Sequence, residues 1–333
     1  MKKKLLRLLT VAAVVLLLPV LIGAKAADGT VYLGGFVTGF DVKLKGAYVL
    51  ALSDVITENG IFSPAKEAGI VCGDRVMSVN GVEITCAFDI SKALSSYKDG
   101  TVTVVISRKG ENMIKDVTPR FDLSGRCKLG LFVKDGIEGV GTVTFVKKDG
   151  IFMALGHPIS EDDKVIPEIV GGNIFRCSVY GVVKGGRGHA GELKGIVISD
   201  KAIGSLTDNS LQGIVGKMND EFDYSSLNAV PVGEAKVGKA EMICCVDGVN
   251  VESYSVSVVK ADHRDKNDKN LVLKINDERL ISITGGIVQG MSGSPVIQDG
   301  KLVGAVTHVF INDPTRGYGI SVKNMLDTAE KLR

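Results

Sequence analysis

The sequence contains no tryptophan, only 5% aromatic residues and only four histidines among 333 residues, and its net charge is close to zero. Forty basic residues against thirty-eight acidic ones give a formal charge of +2. Nucleic-acid-binding proteins carry a strong excess of positive charge on one face, so this balance argues against that class of function. The 45% of apolar residues instead predict a globular protein that is long enough for two domains, each with its own core.

Patterns typical of metal sites are missing as well. The six cysteines form no Cys-x-x-Cys pair and do not group with histidines at metal-ligand spacing. We therefore expect no metal and no other cofactor. The neighbours Cys244 and Cys245 would point to opposite faces of a strand, so we predict no specific disulfide and interpret them as small buried apolar residues.

The N-terminus has the pattern of an export signal. Lysines at 2–4 and Arg7 precede an apolar run at 8–22, and Ala-Lys-Ala at 24–26 has the small-x-small form of a signal-peptidase site. A fifteen-residue helix spans ~22 Å, less than the roughly 30 Å hydrocarbon core of a membrane. We expect residues 1–27 to be a signal peptide, with a membrane anchor as the alternative, and the protein to be exported in either case.

Residues 31–119 have the pattern of a small domain made of short strands and two short helices. Ser63 and Pro64 mark the start of the first helix, and Gly69 marks its end. Asn-Gly at 80–81 predicts a tight hairpin turn, and residues 87–97 predict the second helix.

This region resembles a PDZ domain. The strings SPAKEAGI and GDRVMSVNGVEI within residues 63–84 are similar to the middle of that family, and Thr38, Gly39 and Phe40, after Val37, are similar to its carboxylate-binding loop. The resemblance implies that this loop holds a peptide C-terminus, or an internal strand, added to a sheet edge. A packing module without a ligand is the alternative.

Residues 121–333 are rich in short β-strand patterns. Strands are predicted at 139–146 and 151–155, and Asp-Gly at 299–300 predicts a two-residue hairpin turn. A helix is predicted at 322–332. Many short strands over this length favour β-barrels or a sandwich, so the sequence predicts a mostly β fold.

The strongest indication of chemistry is the segment 290–295, Gly-Met-Ser-Gly-Ser-Pro. A serine that attacks a peptide carbonyl needs its own N–H, and that of the residue two positions earlier, directed at the developing oxyanion. Glycines permit the bend that this requires. We predict Ser292 as the nucleophile and the N–H groups of Gly290 and Ser292 as the oxyanion hole, with Ser294 as the rival nucleophile.

A serine nucleophile needs an imidazole base. His157 lies at a sharp strand-to-turn boundary, between Gly156 and Pro158, and is the strongest candidate. His308 lies within an apolar run and is interpreted as a core or wall residue. The other two histidines, His189 and His263, fall in predicted exposed loops.

The imidazole in turn needs a carboxylate that fixes its tautomer and stabilises its cation. Asp277 lies fifteen residues before Ser292, whereas Asp162 and Asp163 lie close to His157 in sequence. Asp200 follows another predicted strand. Spacing alone leaves these four candidates open.

Three segments carry a more specific resemblance, namely residues 152–160, 284–295 and 304–314. Together they resemble the stage IV sporulation protein B peptidases, which are PDZ-bearing serine endopeptidases of endospore-forming bacteria. The resemblance implies a trypsin-like double β-barrel for residues 121–333. It also implies that Ser292, His157 and Asp277 form a catalytic triad.

One position departs from the trypsin-like pattern Gly-Asp-Ser-Gly-Gly-Pro. Met291 stands where that pattern has aspartate. No carboxylate is present there to pair with a newly cut N-terminus, so activation by that ion pair is excluded.

The family resemblance also implies a role in sporulation signalling. Such a protein is exported into the space between the forespore and mother-cell membranes and cleaves itself. It then cuts the extracytoplasmic part of a membrane-bound regulator that controls an intramembrane protease and sigma-factor maturation. The alternatives are a non-catalytic PDZ adaptor at the membrane surface and a general quality-control protease.

Overall fold

The structure, a computed structural model, describes residues 29–160 and 166–331. The expected export segment, residues 1–27, lies outside the described residues. Among the helices of the described part, none has the length and apolar character needed to cross a membrane.

The first third of the chain contains two strands followed by a small module of strands and helices. Its elements are β1 (Thr30–Leu33), β2 (Val37–Leu52), β3 (Val55–Thr57), β4 (Gly60–Phe62), α1 (Pro64–Glu67), β5 (Arg75–Val79), β6 (Val82–Glu83), α2 (Ala87–Ala93), β7 (Val102–Arg108) and β8 (Glu111–Val117). Asn80 and Gly81 form the predicted turn between β5 and β6, with φ of 49° and 77°. The second helix ends at Ala93, earlier than predicted, because two serines of low helix propensity follow Leu94.

The middle of the chain is almost entirely antiparallel sheet. Its elements are β9 (Arg120–Phe121), β10 (Cys127–Lys128), β11 (Leu131–Val146), β12 (Ile151–Ala154), β13 (Ile169–Val183), β14 (Glu192–Ser210), β15 (Gly213–Met218), a 3-10 turn (Tyr224–Ser226) and β16 (Ala229–Pro231). Six strands follow one another in the order β11-β12-β15-β14-β13-β2. They close into a barrel because β2 pairs with β11 on one edge and with β13 on the other.

The last part of the chain forms a second barrel. Its elements are β17 (Gly238–Asp247), β18 (Asn250–Ala261), β19 (Leu271–Ile275), α3 (Glu278–Thr284), β20 (Pro295–Gln298), β21 (Lys301–Val309), β22 (Arg316–Ser321) and α4 (Val322–Lys331). Its six strands close in the order β17-β18-β19-β22-β21-β20. The predicted turn at Asp299 and Gly300 connects β20 to β21, with φ of 51° and 72°. The mostly β fold and the two barrels are therefore confirmed.

Two strands of sixteen residues, β2 and β11, are shared between the first barrel and the module. The N-terminal half of β2 lies in the barrel, whereas Ala47 and Tyr48 pair with β5 of the module. The apolar core of the module accordingly runs from Ala47 to Leu129, with Leu131 and Val133 packed against it. The module thus uses residues beyond the expected limits of 31–119.

The assignment of a carboxylate-binding loop to Thr38, Gly39 and Phe40 is wrong. All three lie inside β2, where Gly39 is paired with Val140 of β11 and with Phe175 of β13. Barrel closure occupies both edges of the strand at this point, so no backbone N–H remains there for a peptide carboxylate.

Candidate active site

The two barrels flank a pocket of about 780 Å³ that contains both Ser292 and His157. Its polar side also includes His308, Asp268 and Lys269. Its apolar lining is formed by Phe40, Ile137, Val140, Leu155, Ile159 and Leu211. Such a combination of an apolar wall and converging polar groups is the usual form of a substrate site.

The nucleophile turn, residues 288–294, depends on glycine. Gly290 and Gly293 both have φ of +93°, a region that favours glycine. A Cβ on Gly293 would lie 2.0 Å from the carbonyl oxygen of Thr142, so no other residue fits. Met291 is fully buried, and its sulfur accepts the N–H of Val288. The methionine therefore anchors the turn in the core.

Of the two candidate nucleophiles, only Ser292 reaches the pocket. Ser294 is fully buried, and its hydroxyl has no hydrogen-bond partner within the described residues. The hydroxyl of Ser292 is half-buried and donates to the carbonyl oxygen of Thr307 at 2.7 Å. In this arrangement Ser292 can meet a substrate and Ser294 cannot.

The predicted oxyanion donors are available. Within the described part of the chain, the backbone N–H groups of Gly290 and Ser292 have no acceptor, and both residues line the pocket. Strand β11 holds the peptide groups that adjoin these donors. The Thr142 hydroxyl donates to the Gly290 carbonyl at 2.9 Å, the Thr142 N–H donates to the Ser292 carbonyl at 3.1 Å, and the Thr144 hydroxyl donates to the Gly293 carbonyl at 2.7 Å.

His157 follows a sharp bend at the end of β12. Leu155 and Gly156 have φ of 67° and 72°, which turns the chain into the pocket. The imidazole Nδ1 lies 2.8 Å from the carbonyl oxygen of Pro158. Because a carbonyl only accepts, this contact assigns the proton to Nδ1 and leaves the Nε2 lone pair free. That is the tautomer a general base needs.

The electrostatics of the pocket keep both histidines neutral near pH 7. Burial lowers the pKa of His157, while its bond to Pro158 and the charge of Asp268 act in the opposite direction. Burial, followed by the neighbouring His157 and Lys269, lowers the pKa of His308 to about 4. The two rings are therefore uncharged where their centroids lie 4.8 Å apart.

Asp277, which the resemblance assigns to the triad, lies elsewhere. It caps the N-terminus of α3, where its carboxylate accepts the N–H of Arg279 at 3.0 Å and that of Leu280 at 3.3 Å. It also accepts the N–H of Ser255 at 3.3 Å. Burial opposes its ionisation, but these bonds and the Arg279 charge outweigh that effect and lower its pKa. Asp277 does not line the pocket, so the structure does not bring it to His157.

Of the remaining carboxylate candidates, only Asp200 lies in the described part of the chain, and it does not reach the pocket. Asp200 is exposed on β14, and Asp162 and Asp163 lie outside the described residues. His189 lies in a tight turn with Gly186, and His263 is exposed.

Sequence reasoning missed two features of the pocket. Asp268 lies in the charged segment 261–270, which contains His263 and is predicted to be an exposed loop, and nothing in its sequence pattern sets it apart. Thr142 and Thr144 alternate along a predicted strand, so their common face could have been recognised.

A second groove, of about 680 Å³, lies on the module between α2 and the start of β11. Ile90 and Leu94 line it on one side, and residues 129–133 line it on the other. Residues 131–133 pair with β2 on one edge, while no described strand pairs with their other edge. The apolar sequence Leu-Gly-Leu-Phe at 129–132, with a glycine directly before the strand, is the local pattern from which this groove could have been recognised.

Two curated proteins are similar to part of the chain. The chain is 27% identical over 151 residues to a putative zinc metalloprotease of Mesorhizobium japonicum, covering 42% of this chain and 40% of that protein. It is 33% identical over 84 residues to serine protease HTRA1 of Xenopus laevis, covering 25% of this chain and 16% of that protein. The chain thus spans less than half of the length of either relative.

Two solved structures are also similar. The PDZ domain of an SdrC-like protein from Listeria monocytogenes has 20% identity and a TM-score of 0.23, covering 28% of this chain and 90% of that chain. An inactive form of the Rv3671c protease of M. tuberculosis has 13% identity and a TM-score of 0.35, covering 58% of this chain and 84% of that chain.

The family model for the SpoIVB peptidase S55 matches residues 125–326. The match covers more than half of the chain and includes both Ser292 and His157, two residues of the pocket that come from different barrels. The chain therefore belongs to the SpoIVB peptidase S55 family.

Proposed function

We propose that the protein is a serine endopeptidase in which Ser292 is the nucleophile and His157 is the general base. The observation that carries this proposal is the shared pocket, in which the Nε2 lone pair of His157 is free while Nδ1 is held by Pro158. The Ser292 hydroxyl rests on the Thr307 carbonyl, and attack requires it to rotate about its side-chain bond toward this base.

The chemistry is that of acyl transfer. Nε2 of His157 takes the hydroxyl proton as Oγ of Ser292 attacks the carbonyl carbon, and the N–H groups of Gly290 and Ser292 stabilise the oxyanion. The imidazolium then donates this proton to the leaving amine. Water then attacks the acyl-enzyme. His157 takes a proton from this water and returns it to Oγ of Ser292, which leaves as the acid product is released. Asp277 supports the site through α3, the helix that leads into the nucleophile turn.

Substitution of the two neighbouring serines tests the assignment. Ser292→Ala should lower turnover on the order of 10⁶-fold and abolish labelling by a fluorophosphonate, because unactivated serines do not react. Ser294→Ala is the matched control, since its hydroxyl is buried outside the pocket. Retained cleavage by purified Ser292→Ala, or labelling of that variant, would overturn the proposal.

For the biological role we favour signalling in sporulation. Membership of this family supports it. The substrate would be the extracytoplasmic part of a membrane-bound regulator that controls an intramembrane protease and sigma-factor maturation, reached after export into the space between the forespore and mother-cell membranes. The protein would also be its own substrate, so wild-type enzyme, but not Ser292→Ala, should show defined self-cleavage fragments by mass spectrometry.

A general quality-control protease and a non-catalytic adaptor make different predictions. A signalling protease should make a single cut in one partner, whereas degradation of casein into many fragments would favour quality control. An adaptor would bind partners with Ser292 unreactive toward fluorophosphonate.

The groove between α2 and β11 is the proposed site for a peptide partner. A free strand edge at 131–133 can pair with an extended peptide, while Ile90 and Leu94 supply an apolar wall for its side chains. Ile90→Lys should weaken binding of a fluorescent peptide, measured by polarisation, and Phe88→Lys is the control because this exposed side chain does not line the groove. Equal binding by wild type and Ile90→Lys would exclude this groove.

A further inference from the structure

Among the residues that the structure describes, His157 has no carboxylate partner of the usual kind. Its Nδ1 is bound to the Pro158 carbonyl, and within the described residues no carboxylate accepts from its ring. A peptide carbonyl fixes the tautomer, but it does not carry the full negative charge that would stabilise an imidazolium. A charge-stabilising group is therefore needed elsewhere in the pocket.

One described carboxylate faces this pocket. Asp268 lines it, and its side chain is only 19% exposed. Between it and His157 lies His308, whose Nδ1 is 3.9 Å from Oδ2 of Asp268 and whose ring packs against that of His157. His308 Nδ1 is buried without a hydrogen-bond partner within the described residues, so this nitrogen faces Asp268 alone.

The loop that carries Asp268 is fixed rather than free. Its backbone carbonyl accepts the hydroxyl of Thr307 at 3.0 Å, and Thr307 is also the residue whose carbonyl holds the Ser292 hydroxyl. The buried Asn270 ties the end of the loop to Ser321, accepting its N–H at 2.8 Å. Asp268 is thus positioned by the same strand, β21, that holds the resting nucleophile.

We propose that Asp268 is the carboxylate that stabilises the protonated form of His157, and that His308 is a positioning residue between them. This inference rests on the proposed function, in which His157 accepts the Ser292 proton. During attack, that proton moves from Oγ to Nε2, and the positive charge on the ring is attracted by the ionised Asp268. No proton is transferred to Asp268 or His308.

The charges around Asp268 fit this role. Burial raises its pKa, while Lys269 and His157 lower it, and Asp265 acts against them. Lys269 also lines the pocket and disfavours a cation on either ring. Removal of the Asp268 charge would leave Lys269 unopposed next to His157.

Asp268→Asn tests the proposal, with Asp265→Asn in the same loop as the matched control. We expect kcat to fall about 10- to 100-fold with little change in KM, because one charge interaction is lost while Pro158 still fixes the tautomer. The acid limb of the pH profile of kcat/KM should move to lower pH, because Asp268 raises the pKa of His157. Asp268→Glu, which keeps the charge, should restore part of the activity.

His308 is tested by two substitutions. His308→Phe keeps a ring against His157 and should retain most of the activity, whereas His308→Ala should lower kcat because His157 loses its support. Circular dichroism confirms that each variant is folded. If Ser292→Ala is inactive while Asp268→Asn keeps full kcat and an unchanged acid limb, this inference alone fails. If Ser292→Ala remains active, the proposed function itself fails.

Discussion

Strand β11 provides the sharpest test of how the oxyanion hole is held. The hydroxyl of Thr142 is fully buried and donates to the carbonyl of Gly290, the peptide group next to an oxyanion donor. Thr142→Val removes this hydroxyl, keeps the branched shape and preserves the backbone bond to Ser292. It therefore perturbs the support of one peptide group with little change in packing volume.

The size of the effect follows from two magnitudes. A buried carbonyl that loses its donor costs about 1–3 kcal/mol. That carbonyl belongs to the peptide between Gly290 and Met291, so if this peptide turns to find another partner, the backbone at Gly290 rotates with it and the adjoining N–H of Gly290 shifts away from the oxyanion. Complete loss of one such donor lowers kcat about 10²- to 10³-fold. Because the Ser292 N–H stays in place, we expect a fall in kcat of about 10- to 100-fold with KM nearly unchanged.

Steady-state kinetics on a peptide substrate, together with urea unfolding, separates catalysis from stability. Thr38→Val is the matched control, since Thr38 is also fully buried and donates to a carbonyl, that of Gly141, at 3.4 Å. Both variants should lose stability, but only Thr142→Val should lose kcat. Equal kcat values in the two variants would refute the role of β11 in holding the oxyanion hole.

Three further predictions concern Asp277, His157 and His308. Asp277→Asn keeps a good helix cap and should leave kcat within about threefold of the wild-type value, whereas Asp277→Ala should lower the free energy of unfolding by about 1 kcal/mol. A loss of about 10⁴-fold in kcat for the asparagine variant would instead place Asp277 in the triad. Because burial lowers the pKa of His157, the acid limb of kcat/KM should lie below about pH 6.5, and a limb above that value would contradict the geometry. His308 has a pKa of about 4 in the folded protein, so below about pH 6.5 the unfolded chain binds more protons than the folded protein. The free energy of unfolding should therefore fall as the pH decreases from about 6.5 toward 4. His308→Phe should flatten this pH dependence, measured by urea unfolding at several pH values.

The features that sequence reasoning predicted are those encoded locally. The Gly-rich turn around Ser292, the bend at His157 and the hairpin turn at Asp299 each arise from a few adjacent residues whose backbone preferences are known. Asp268 could not be found in this way. It reaches the pocket because β19 and β21 are parts of one closed barrel, and its loop is bound to Thr307 across 39 positions of sequence.

The peptide groove was missed for a related reason. The sequence predicts a module that begins at residue 31, and a carboxylate-binding loop near its start would then fall at residues 38–40. The structure shows that β2 first completes a barrel and only then enters the module. The groove edge comes instead from the start of β11, after the last strand of the module.

The position of Asp277, fifteen residues before Ser292, has a structural explanation that does not require a triad. Asp277 begins α3, and the helix ends at Gly285, which has φ of 75°. Directly before this glycine, the Thr284 hydroxyl lies within donating distance of the carbonyl oxygens of Leu280 (2.9 Å) and Gly286 (2.6 Å), which sets the direction in which the chain enters the nucleophile turn. An aspartate at this position is what the first turn of a short helix needs, because its side chain satisfies otherwise unpaired N–H groups. The same sequence pattern thus arises from the demands of a helix cap, and among the carboxylates of the described residues only that of Asp268 lines the pocket with His157.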